Sequence, residues 1–410
     1  MPLTLPHTVS PVVPLLDELS GFSGFGRRTV ADTLQIPGSG SVPVFTNEFW
    51  TSKQRAASPL HEVSYRACFK PQLPRFFIDR LTQPGDLVYD PFMGRGTTLV
   101  EAALLGRRAA GCDVNPLSRV LTAPRLAPPT CTEVGQRLAA IDFNWKGDVR
   151  NDLKVFYHPE TLRQLTALRA HLLRSIERGA ADNVDRWIQM VATNRLTGHS
   201  PGFFSVYTLP PNQAASIQSQ KRINARYKQK PEPRDVPALI LKKTRQLLSD
   251  ICPPSSVLRL PILLTQSCET TPQLASDTVA LAVTSPPFLD TVDYAQDNWL
   301  RAWFNGIDLD SVPIWHLRSL SEWTAAMTRV FRELHRILRP GGWLAFEVGE
   351  IRDGKVRLEE PVLSAGTAAG LPPVLVLINS QQFTKTANCW GVTNNARGTN
   401  TNRVVLFQKS

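Results

Sequence analysis

The stretch Asp86-Leu-Val-Tyr-Asp90-Pro-Phe-Met-Gly-Arg-Gly-Thr-Thr98 joins a short apolar run to a turn that contains two glycines. An Ala/Leu-rich helical pattern follows over residues 99–105, and a second apolar run ends at Asp113. A strand, a Gly-containing turn, a helix and a second strand are half of a doubly wound sheet, which binds ligands beyond the carboxyl ends of its strands. The sequence therefore predicts an α/β fold with a ligand site at this turn.

The rest of the chain divides by pattern into a returning sheet and a long helical segment. Strand patterns recur at residues 279–283, 343–348, 374–379 and 403–408, with a helical pattern at 321–338. Residues 159–176 and 184–196 have helical periodicity, whereas residues 197–237 have the composition of a polar, basic loop. We predict an N-terminal extension over 1–43, an α/β domain over 44–120 and 256–410, and an inserted, mainly helical domain over 121–255.

Composition excludes several classes of protein. The 410 residues are 42% hydrophobic and 20% charged, which is typical of folded domains. The six cysteines lie far apart and predict neither a zinc site nor a disulfide framework, so we expect a reducing, cytoplasmic compartment and no bound metal. No apolar run approaches the 18 or so residues of a membrane span, and the first 26 residues lack the basic start of a signal peptide.

The net charge of +11 favours a polyanionic partner, and much of it is concentrated in one segment. Nine basic residues stand against two acidic ones between residues 221 and 245. Cations alternate there with Asn, Gln and Tyr, which are side chains that reach phosphates and base edges. A solvated charged loop is the alternative interpretation. The candidate nucleic-acid contacts are Lys221, Arg222, Arg226, Lys228 and Lys230.

The turn after Asp90 has the residue types that an amino-acid-bearing nucleoside needs. Its glycines let the backbone approach a ligand, and the following helix offers free N–H groups to a carboxylate. Asp90 can bind an amino group, and Asp113 lies at the sequence distance from which an acid binds ribose hydroxyls. The stretch lacks both GxGxxG and GK[ST], so S-adenosylmethionine fits better than a dinucleotide or a triphosphate. An ordinary strand-to-helix turn is the alternative.

A second motif, Thr284-Ser-Pro-Pro-Phe288, directly follows the predicted strand at 279–283. Two prolines cannot continue a sheet, so the chain must leave it at the same carboxyl edge. The Ser285 hydroxyl and the Pro286 carbonyl can each accept a hydrogen from an exocyclic amino group, and Phe288 can stack on the base. Such a site contributes mainly by aligning the amino nitrogen with an activated methyl group. The alternative is a Pro-Pro turn beside a core phenylalanine.

Together, the two motifs resemble those of the exocyclic-amino DNA methyltransferases, the cytosine-N4 and adenine-N6 enzymes. Further similarity lies in residues 61–81 with Phe69, in Asp293-Tyr-Ala-Gln-Asp-Asn-Trp-Leu-Arg-Ala-Trp303, in Arg339-Pro-Gly-Gly342 and in the last strand. The resemblance covers residues 45–120 and 260–410. Two departures stand out: Arg95 lies between the glycines, and Ser267-Cys268 replaces an acid that often contacts the cofactor adenine.

The resemblance implies a Rossmann-like seven-stranded sheet with an antiparallel last strand, S-adenosylmethionine as cofactor, and duplex DNA whose target base is flipped. It also implies a prokaryotic, nucleoid-associated enzyme with a possible cognate restriction endonuclease, and a target-recognition role for residues 121–255. The Ser285 variant of the motif is commoner among cytosine-N4 enzymes; adenine-N6, RNA methylation and an inactive DNA-binding module are the alternatives. The implied catalytic residues are Ser285, Pro286, Pro287 and Phe288, and the implied cofactor-binding residues are Phe69, Asp90, Pro91, Phe92, Gly94, Gly96, Thr97, Thr98 and Asp113.

Overall fold

The computed structural model describes residues 12–36, 40–51, 57–66, 68–249, 260–287, 293–315, 317, 319–348, 350–351, 356–380 and 401–410. Within these ranges the strands are β1 (Val30–Ile36), β2 (Gly40–Asn47), β3 (Leu87–Asp90), β4 (Arg108–Asp113), β5 (Ile262–Thr265), β6 (Val279–Thr284), β7 (Leu338–Val348), β8 (Glu350–Ile351), β9 (Val356–Arg357), β10 (Pro373–Ser380) and β11 (Thr401–Gln408). The helices are α1 (Val12–Ser20), α2 (Gln72–Leu81), α3 (Thr97–Leu104), α4 (Pro116–Leu126), α5 (Cys131–Ala140), α6 (Pro159–Glu177), α7 (Asn183–Arg195), α8 (Ile217–Tyr227), α9 (Val236–Leu247), α10 (Tyr294–Asn305), α11 (Leu320–Ile337) and α12 (Glu359–Ala368).

The described strands form one large sheet in the order β1-β2-β10-β11-β7-β6-β3-β4-β5, with β8 and β9 as a separate pair. Strands β5, β4, β3, β6 and β7 run parallel to one another, and β11 is antiparallel to both of its neighbours, β7 and β10. The predicted α/β class and the antiparallel last strand are therefore confirmed. Among the described residues, the sheet nevertheless has nine strands instead of the predicted seven.

The two additional strands come from the N-terminal part of the chain. β2 pairs in parallel with β10, and β1 pairs antiparallel with β2 at the edge of the sheet. The carboxamide oxygen of Asn379 accepts hydrogen bonds from the backbone N–H groups of Phe49 at 2.7 Å and Trp50 at 3.2 Å, which anchors the segment after β2. The predicted boundary at residue 43 thus falls inside β2, and residues 30–36 and 40–43 are part of the sheet instead of a loose extension.

The central strands are buried on both faces because helices cover both sides of the sheet. Val88, Leu281 and Val283 belong to the core under α2, α3 and α4, whereas Tyr89 and Ala282 face the core under α11 and α12. This alternation of faces explains why β3 and β6 are apolar without a break. All residues of both strands are buried, so their carboxyl ends are fixed rigidly in the sheet.

Helices α5 to α9 lie between β4 and β5 in the chain and pack against the same face as α4 and α10. Their buried residues, including Trp187 and Ile240, are continuous with the core that contains Leu281. A hydrogen bond of 2.9 Å from the Gln189 carboxamide to that of Asn305 further joins α7 to α10. The predicted boundary between residues 120 and 121 falls within α4, and the division of the chain at residues 121–255 stays a prediction.

The segment 197–237 is not only a loop, because it contains α8. Ser216 caps this helix by accepting a hydrogen bond from the Ser219 N–H group at 3.1 Å. Polar side chains hold its inner face: Gln220 donates to the Tyr207 carbonyl at 3.0 Å and Asn224 donates to the Val155 carbonyl at 2.7 Å. A helix packed through amides has no apolar stripe, which is why hydrophobic periodicity missed it.

Within the described residues, no helix combines the length and the apolar character that a bilayer span requires.

Candidate active site

A cavity opens at the carboxyl ends of β3, β4, β5 and β6, and we call it the strand-end cavity. It brings together the two motifs, which are nearly two hundred residues apart in the chain. The predicted site residues that line it are Phe69, Asp90, Pro91, Phe92, Gly94, Thr97, Asp113, Ser285, Pro286 and Pro287. Gly96 and Thr98 do not line it, and Phe288 lies outside the described residues.

The glycine turn is shaped by its two left-handed residues. Gly94 has a φ of 48° and Gly96 a φ of 72°, a region that favours glycine. A Cβ atom at Gly96 would also collide with the side chain of Thr122 in α4. Gly96 therefore serves the close packing of the turn on α4, while Gly94 faces the cavity.

Asp113 closes the turn from the neighbouring strand. Its carboxylate accepts hydrogen bonds from the backbone N–H groups of Gly94 and Asn115, each at 2.9 Å. Asp113 also lines the cavity, so one carboxylate both fixes the turn and faces the ligand space.

Two hydroxyl groups connect the glycine turn to the strand that precedes the Pro-Pro motif. Thr284 Oγ1 donates to Asp90 Oδ1 at 2.6 Å, and Thr98 Oγ1 donates to the Val283 carbonyl at 3.1 Å. Both threonines are fully buried. Thr98 makes a contact that holds α3 against β6, and its predicted role in cofactor binding stays a prediction.

The cavity has a negative electrostatic character. Burial raises the pKa of the Asp90 carboxyl to about 6, despite hydrogen bonds from Thr284 and the Phe92 N–H group that lower it. Burial also raises the pKa of Asp113 above its usual range. No lysine or arginine lines the cavity in the described part of the chain. Because buried carboxylates without a cationic partner are unfavourable, this cavity favours a positively charged ligand.

S-adenosylmethionine carries an ammonium group and a sulfonium group, and it fits this charge pattern. Asp90 and Asp113 lie at the ends of adjacent strands, as the sequence predicts for residues that bind the amino and ribose groups. Gln266, Ser267 and Cys268 form the wall after β5. Within the described ranges, no cluster of three or more His, Cys, Asp or Glu side chains has an arrangement suited to a metal ion.

Arg95 does not intrude on the cavity. Its buried guanidinium turns toward the 61–69 segment, donating to the carbonyls of Val63 at 2.8 Å and Phe69 at 3.3 Å. It also donates to Thr97 Oγ1 at 3.2 Å. The arginine between the glycines, which is a departure from the family pattern, therefore positions the segment that contains Tyr65 and Phe69.

Three aromatic residues of the cavity were not among the predicted site residues. The rings of Tyr65 and Tyr294 stack with centroids 6.3 Å apart, and Trp315 meets Phe92 edge to face at 5.8 Å. Tyr294 lies in a quoted segment of the family resemblance, whereas no local pattern identifies Trp315. Aromatic walls of this kind suit a planar base or an adenine ring.

A buried carboxylate supports Ser285 from behind. Glu347, near the end of β7, shares a hydrogen bond with the Ser285 side chain and accepts another from the Asn402 carboxamide at 3.0 Å. Burial raises the pKa of Glu347 above its usual range. In the sequence, Glu347 is the charged residue within the apolar run 343–348, and a charge in a buried strand indicates a functional or structural partner.

The Pro-Pro turn itself is held by α11. The indole N–H of Trp323 donates to the Pro287 carbonyl at 3.0 Å. No described residue donates to the Pro286 carbonyl, which is consistent with its predicted role as an acceptor.

The predicted nucleic-acid contacts are separate from the strand-end cavity. Lys221, Arg222 and Arg226 are exposed on α8, and Lys228 and Lys230 are exposed just after it. The guanidinium of Arg226 lies 5.7 Å from the ring centre of Tyr227, whose ring is tilted by 59° against that of Tyr207 with centroids 5.1 Å apart. None of the five cations forms an ion pair with another described residue.

Comparisons with known proteins bear on the first of the two motifs. Residues 41–118 match the model of the DNA methylase family. The type II methyltransferase M.MjaII of Methanocaldococcus jannaschii is 39% identical over 62 residues, which are 15% of this chain and 12% of that protein. M.MvaI of Kocuria varians is 30% identical over 97 residues, covering 23% and 20% of the two chains. M.BsoBI of Geobacillus stearothermophilus is 20% identical over 279 residues, covering 60% and 52%.

The chain thus spans between about an eighth and about half of the length of these relatives. The matched family segment contains β2, β3, α3 and β4, and with them the glycine turn and both of its carboxylates. The matches bear out the predicted resemblance to the exocyclic-amino DNA methyltransferases and, with it, S-adenosylmethionine as the cofactor; the segment similar to the family model is residues 41–118.

Proposed function

We propose that this chain is a DNA methyltransferase that transfers the methyl group of S-adenosylmethionine to the N4 amino group of a cytosine flipped out of duplex DNA. The observation that carries the proposal is that the Gly94 turn and the Pro286 turn face one cavity. Their strands are tied by the 2.6 Å hydrogen bond between Thr284 and Asp90. A methyl donor and an acceptor base bound at the two turns would therefore meet.

The donor side of the cavity is formed by the family-matched segment. Asp90 would hold the ammonium group of the cofactor, and Asp113 would hold the ribose hydroxyls. The first turn of α3, which begins at Thr97, would face the carboxylate with its free N–H groups. When bound, S-adenosylmethionine supplies a methyl group already activated by its positively charged sulfur. The protein therefore has to position the acceptor rather than activate the donor.

The acceptor side is formed by Ser285 and Pro286. Hydrogen bonding between the Ser285 hydroxyl and the Glu347 carboxylate directs the hydroxyl hydrogen away from the cavity, which leaves the oxygen free to accept. The Pro286 carbonyl is the second acceptor. Two acceptors on one amino group favour a pyramidal nitrogen whose lone pair points at the methyl carbon, and the stacked Tyr65 and Tyr294 rings offer a wall for the base.

The same proposal gives DNA, rather than a small molecule, as the substrate. The exposed cations of α8 would contact phosphates, and the extrusion of a base costs a few kcal/mol that such contacts offset. Residues 121–255 would carry target recognition because they form the helical segment inserted between β4 and β5. The type II names of the relatives favour a companion restriction endonuclease and a place of action on prokaryotic chromosomal DNA in the cytoplasm.

Nucleoside mass spectrometry tests the proposal. DNA incubated with the chain and S-adenosylmethionine is expected to contain N4-methylcytosine, and the Ser285→Ala variant is expected to produce almost none. N6-methyladenine without N4-methylcytosine would overturn the choice of base but not the reaction. The absence of any methylated base, with intact cofactor binding, would overturn the proposed activity.

Calorimetric titration distinguishes the enzyme from an inactive DNA-binding module. An inactive module would be favoured if Arg95 occupied the cofactor space, but its guanidinium is engaged with backbone carbonyls outside the strand-end cavity. We expect saturable binding of S-adenosylmethionine at one site, and an inactive module would give no saturable heat.

A further inference from the structure

A second cavity, which we call the basic cavity, lies beside the strand-end cavity. Its volume is about 400 Å³, and its wall contains four cationic side chains: Lys70, Arg95, Arg195 and Lys243. Glu62 is the carboxylate in this wall. These side chains come from four separate parts of the chain, namely the segment before α2, the glycine turn, the end of α7 and the middle of α9.

Glu62 forms an ion pair with Lys243. Lys243 Nζ lies 2.5 Å from Glu62 Oε2, and Arg95 is committed to backbone carbonyls. Arg195 uses its Nε atom on the Asn194 carbonyl at 3.1 Å and stacks its guanidinium 4.1 Å from the ring centre of Phe203. The two terminal nitrogens of Arg195 have no hydrogen-bond partner in the described part of the chain. Stacking thus fixes a guanidinium whose outer edge is available to a ligand.

Burial, joined in two cases by the closeness of another cation, lowers the pKa values of three cations in the basic cavity. Burial, and then the charge of Arg95, lower the pKa of Lys70. Burial lowers the pKa of Arg195 to about 10, and burial together with the charge of Arg195 lowers that of Lys243 despite its bond to Glu62. A bound anion would favour the charged form of all three residues, so the cavity is electrostatically suited to a phosphate.

The basic cavity adjoins the site of methyl transfer. Tyr65 lines both cavities, and Lys70 directly follows Phe69, which lines the strand-end cavity. Asn212 lies in the same wall, and its buried carboxamide oxygen has no hydrogen-bond partner among the described residues. The orientation of a carboxamide can be reversed, which would present its NH₂ group to an anion. A phosphate in the basic cavity would therefore lie next to a base in the strand-end cavity.

We propose that the basic cavity binds a backbone phosphate of the DNA beside the flipped nucleotide, through Lys70 and Arg195. This inference rests on the proposed function, because it takes the extruded base to lie against Tyr65. Contacts to individual phosphates set the position of the DNA on the protein, whereas the base itself would be recognised inside the strand-end cavity. The exposed cations of α8 would contact the duplex elsewhere.

The test compares Arg195→Gln and Lys70→Gln, singly and together, with Arg186→Gln as a control. Arg186 lies on the exposed face of the same helix as Arg195 and lines neither cavity. Binding of a mixed-sequence DNA duplex is measured at several salt concentrations, and binding of S-adenosylmethionine and of inorganic phosphate by calorimetry. Since Arg195 is largely buried, the melting temperature of each variant is recorded, and the partly exposed Lys70→Gln variant serves if the Arg195 variant is unstable.

We expect the double variant to bind DNA about tenfold more weakly, with a salt slope smaller by about one per lost phosphate contact, and with unchanged affinity for S-adenosylmethionine. The control is expected to resemble the wild type. Unchanged DNA affinity and slope would overturn the proposal. Loss of inorganic phosphate binding alone would also overturn it, because the cavity would then be a site for a free anion. An equal loss of S-adenosylmethionine binding would overturn it as well, because the cavity would then bind the cofactor carboxylate. Methylated-base analysis of the wild type reports separately on the proposed function.

Discussion

The hydroxyl of Thr284 donates a 2.6 Å hydrogen bond to the carboxylate of Asp90, across a sequence separation of 194 residues. Thr284 is the last residue of the strand before the Pro-Pro turn, and Asp90 is the last residue of the strand before the glycine turn. Neighbouring parallel strands end at the same edge of a sheet, so this contact fixes both turns around one cavity. It also lowers the pKa of the Asp90 carboxyl, which lines the cavity, against the larger effect of burial.

Removal of this hydroxyl provides the first prediction. Thr284→Val keeps the shape of the side chain but leaves the Asp90 carboxylate with one donor fewer, and we expect a loss of about 2 kcal/mol in unfolding free energy at pH 8. The loss should be smaller at pH 5, where Asp90 is largely protonated. Urea unfolding at the two pH values measures it. Thr324→Val, at a half-buried threonine bonded within its own helix, is the control, and equal losses in both variants would contradict the assigned role.

The pKa of Asp90 predicts how cofactor binding depends on pH. With a pKa of about 6, Asp90 becomes protonated as the pH falls through 6, and a positively charged ligand then loses its counter-charge. The affinity for S-adenosylmethionine should therefore be constant above pH 7 and fall below pH 6, toward tenfold per unit. The raised pKa of Asp113 acts in the same direction.

Calorimetry between pH 5 and 8 measures this dependence, and Asp90→Asn is the matched variant. We expect weaker binding by the variant and a flatter pH profile. A wild-type affinity that does not change across pH 6 would show that Asp90 does not contact the positive charge of the cofactor.

Glu347 is expected to act on the chemical step through Ser285. Glu347→Gln keeps the size of the side chain but removes the charged acceptor for the Ser285 hydroxyl, so kcat for methyl transfer should fall by roughly tenfold. The affinity for S-adenosylmethionine should stay within about twofold. Because burial raises the pKa of Glu347, the wild-type kcat should decline on the acidic side, and the variant should lack this decline. A structural role alone would lower stability without changing the shape of the pH profile.

Local sequence patterns predicted the parts of the fold that depend on local interactions. The predicted strands at 86–90, 109–113 and 279–283 agree with β3, β4 and β6 within one residue at each end. Short apolar runs bounded by turn residues are typical of buried parallel strands. β2 was not predicted; its two strand partners are β1, which is close in sequence, and β10, which lies more than 300 residues away. The path of Arg95 also depends on distant atoms, namely the carbonyls of the 61–69 segment.

In the site, too, the residues that could be predicted are those identified by neighbouring sequence, and the residues that were missed are placed by contacts distant in sequence. The sequence identified Asp90, Gly94, Asp113 and Ser285 because each follows a recognisable strand, and the structure brings them to one cavity. Trp315 reaches that cavity and Glu347 reaches Ser285 from segments whose position depends on the whole sheet. The basic cavity is a stronger example, because four separate segments contribute its cations and no pair of them is adjacent in sequence.

The exposed cations of α8 provide a prediction about DNA affinity. Replacing Lys221, Arg222 and Arg226 by Glu should weaken DNA binding by about a hundredfold at moderate salt and reduce the salt slope by about three. Filter binding at several salt concentrations measures both quantities. A control with the same change in net charge replaces the exposed Arg27, Arg28 and Arg332 by Glu. Equal effects in the two triple variants would mean that only the overall charge matters.

The most direct test measures cofactor affinity and methyl transfer to DNA together in Ser285→Ala, with the exposed Ser311→Ala as the control. If the second turn presents the amino group to a methyl donor held by the first, the variant should bind S-adenosylmethionine within about twofold of the wild type. Its transfer of labelled methyl groups should fall on the order of a hundredfold or more. Undiminished transfer by Ser285→Ala would contradict the shared active site at the edge of this sheet.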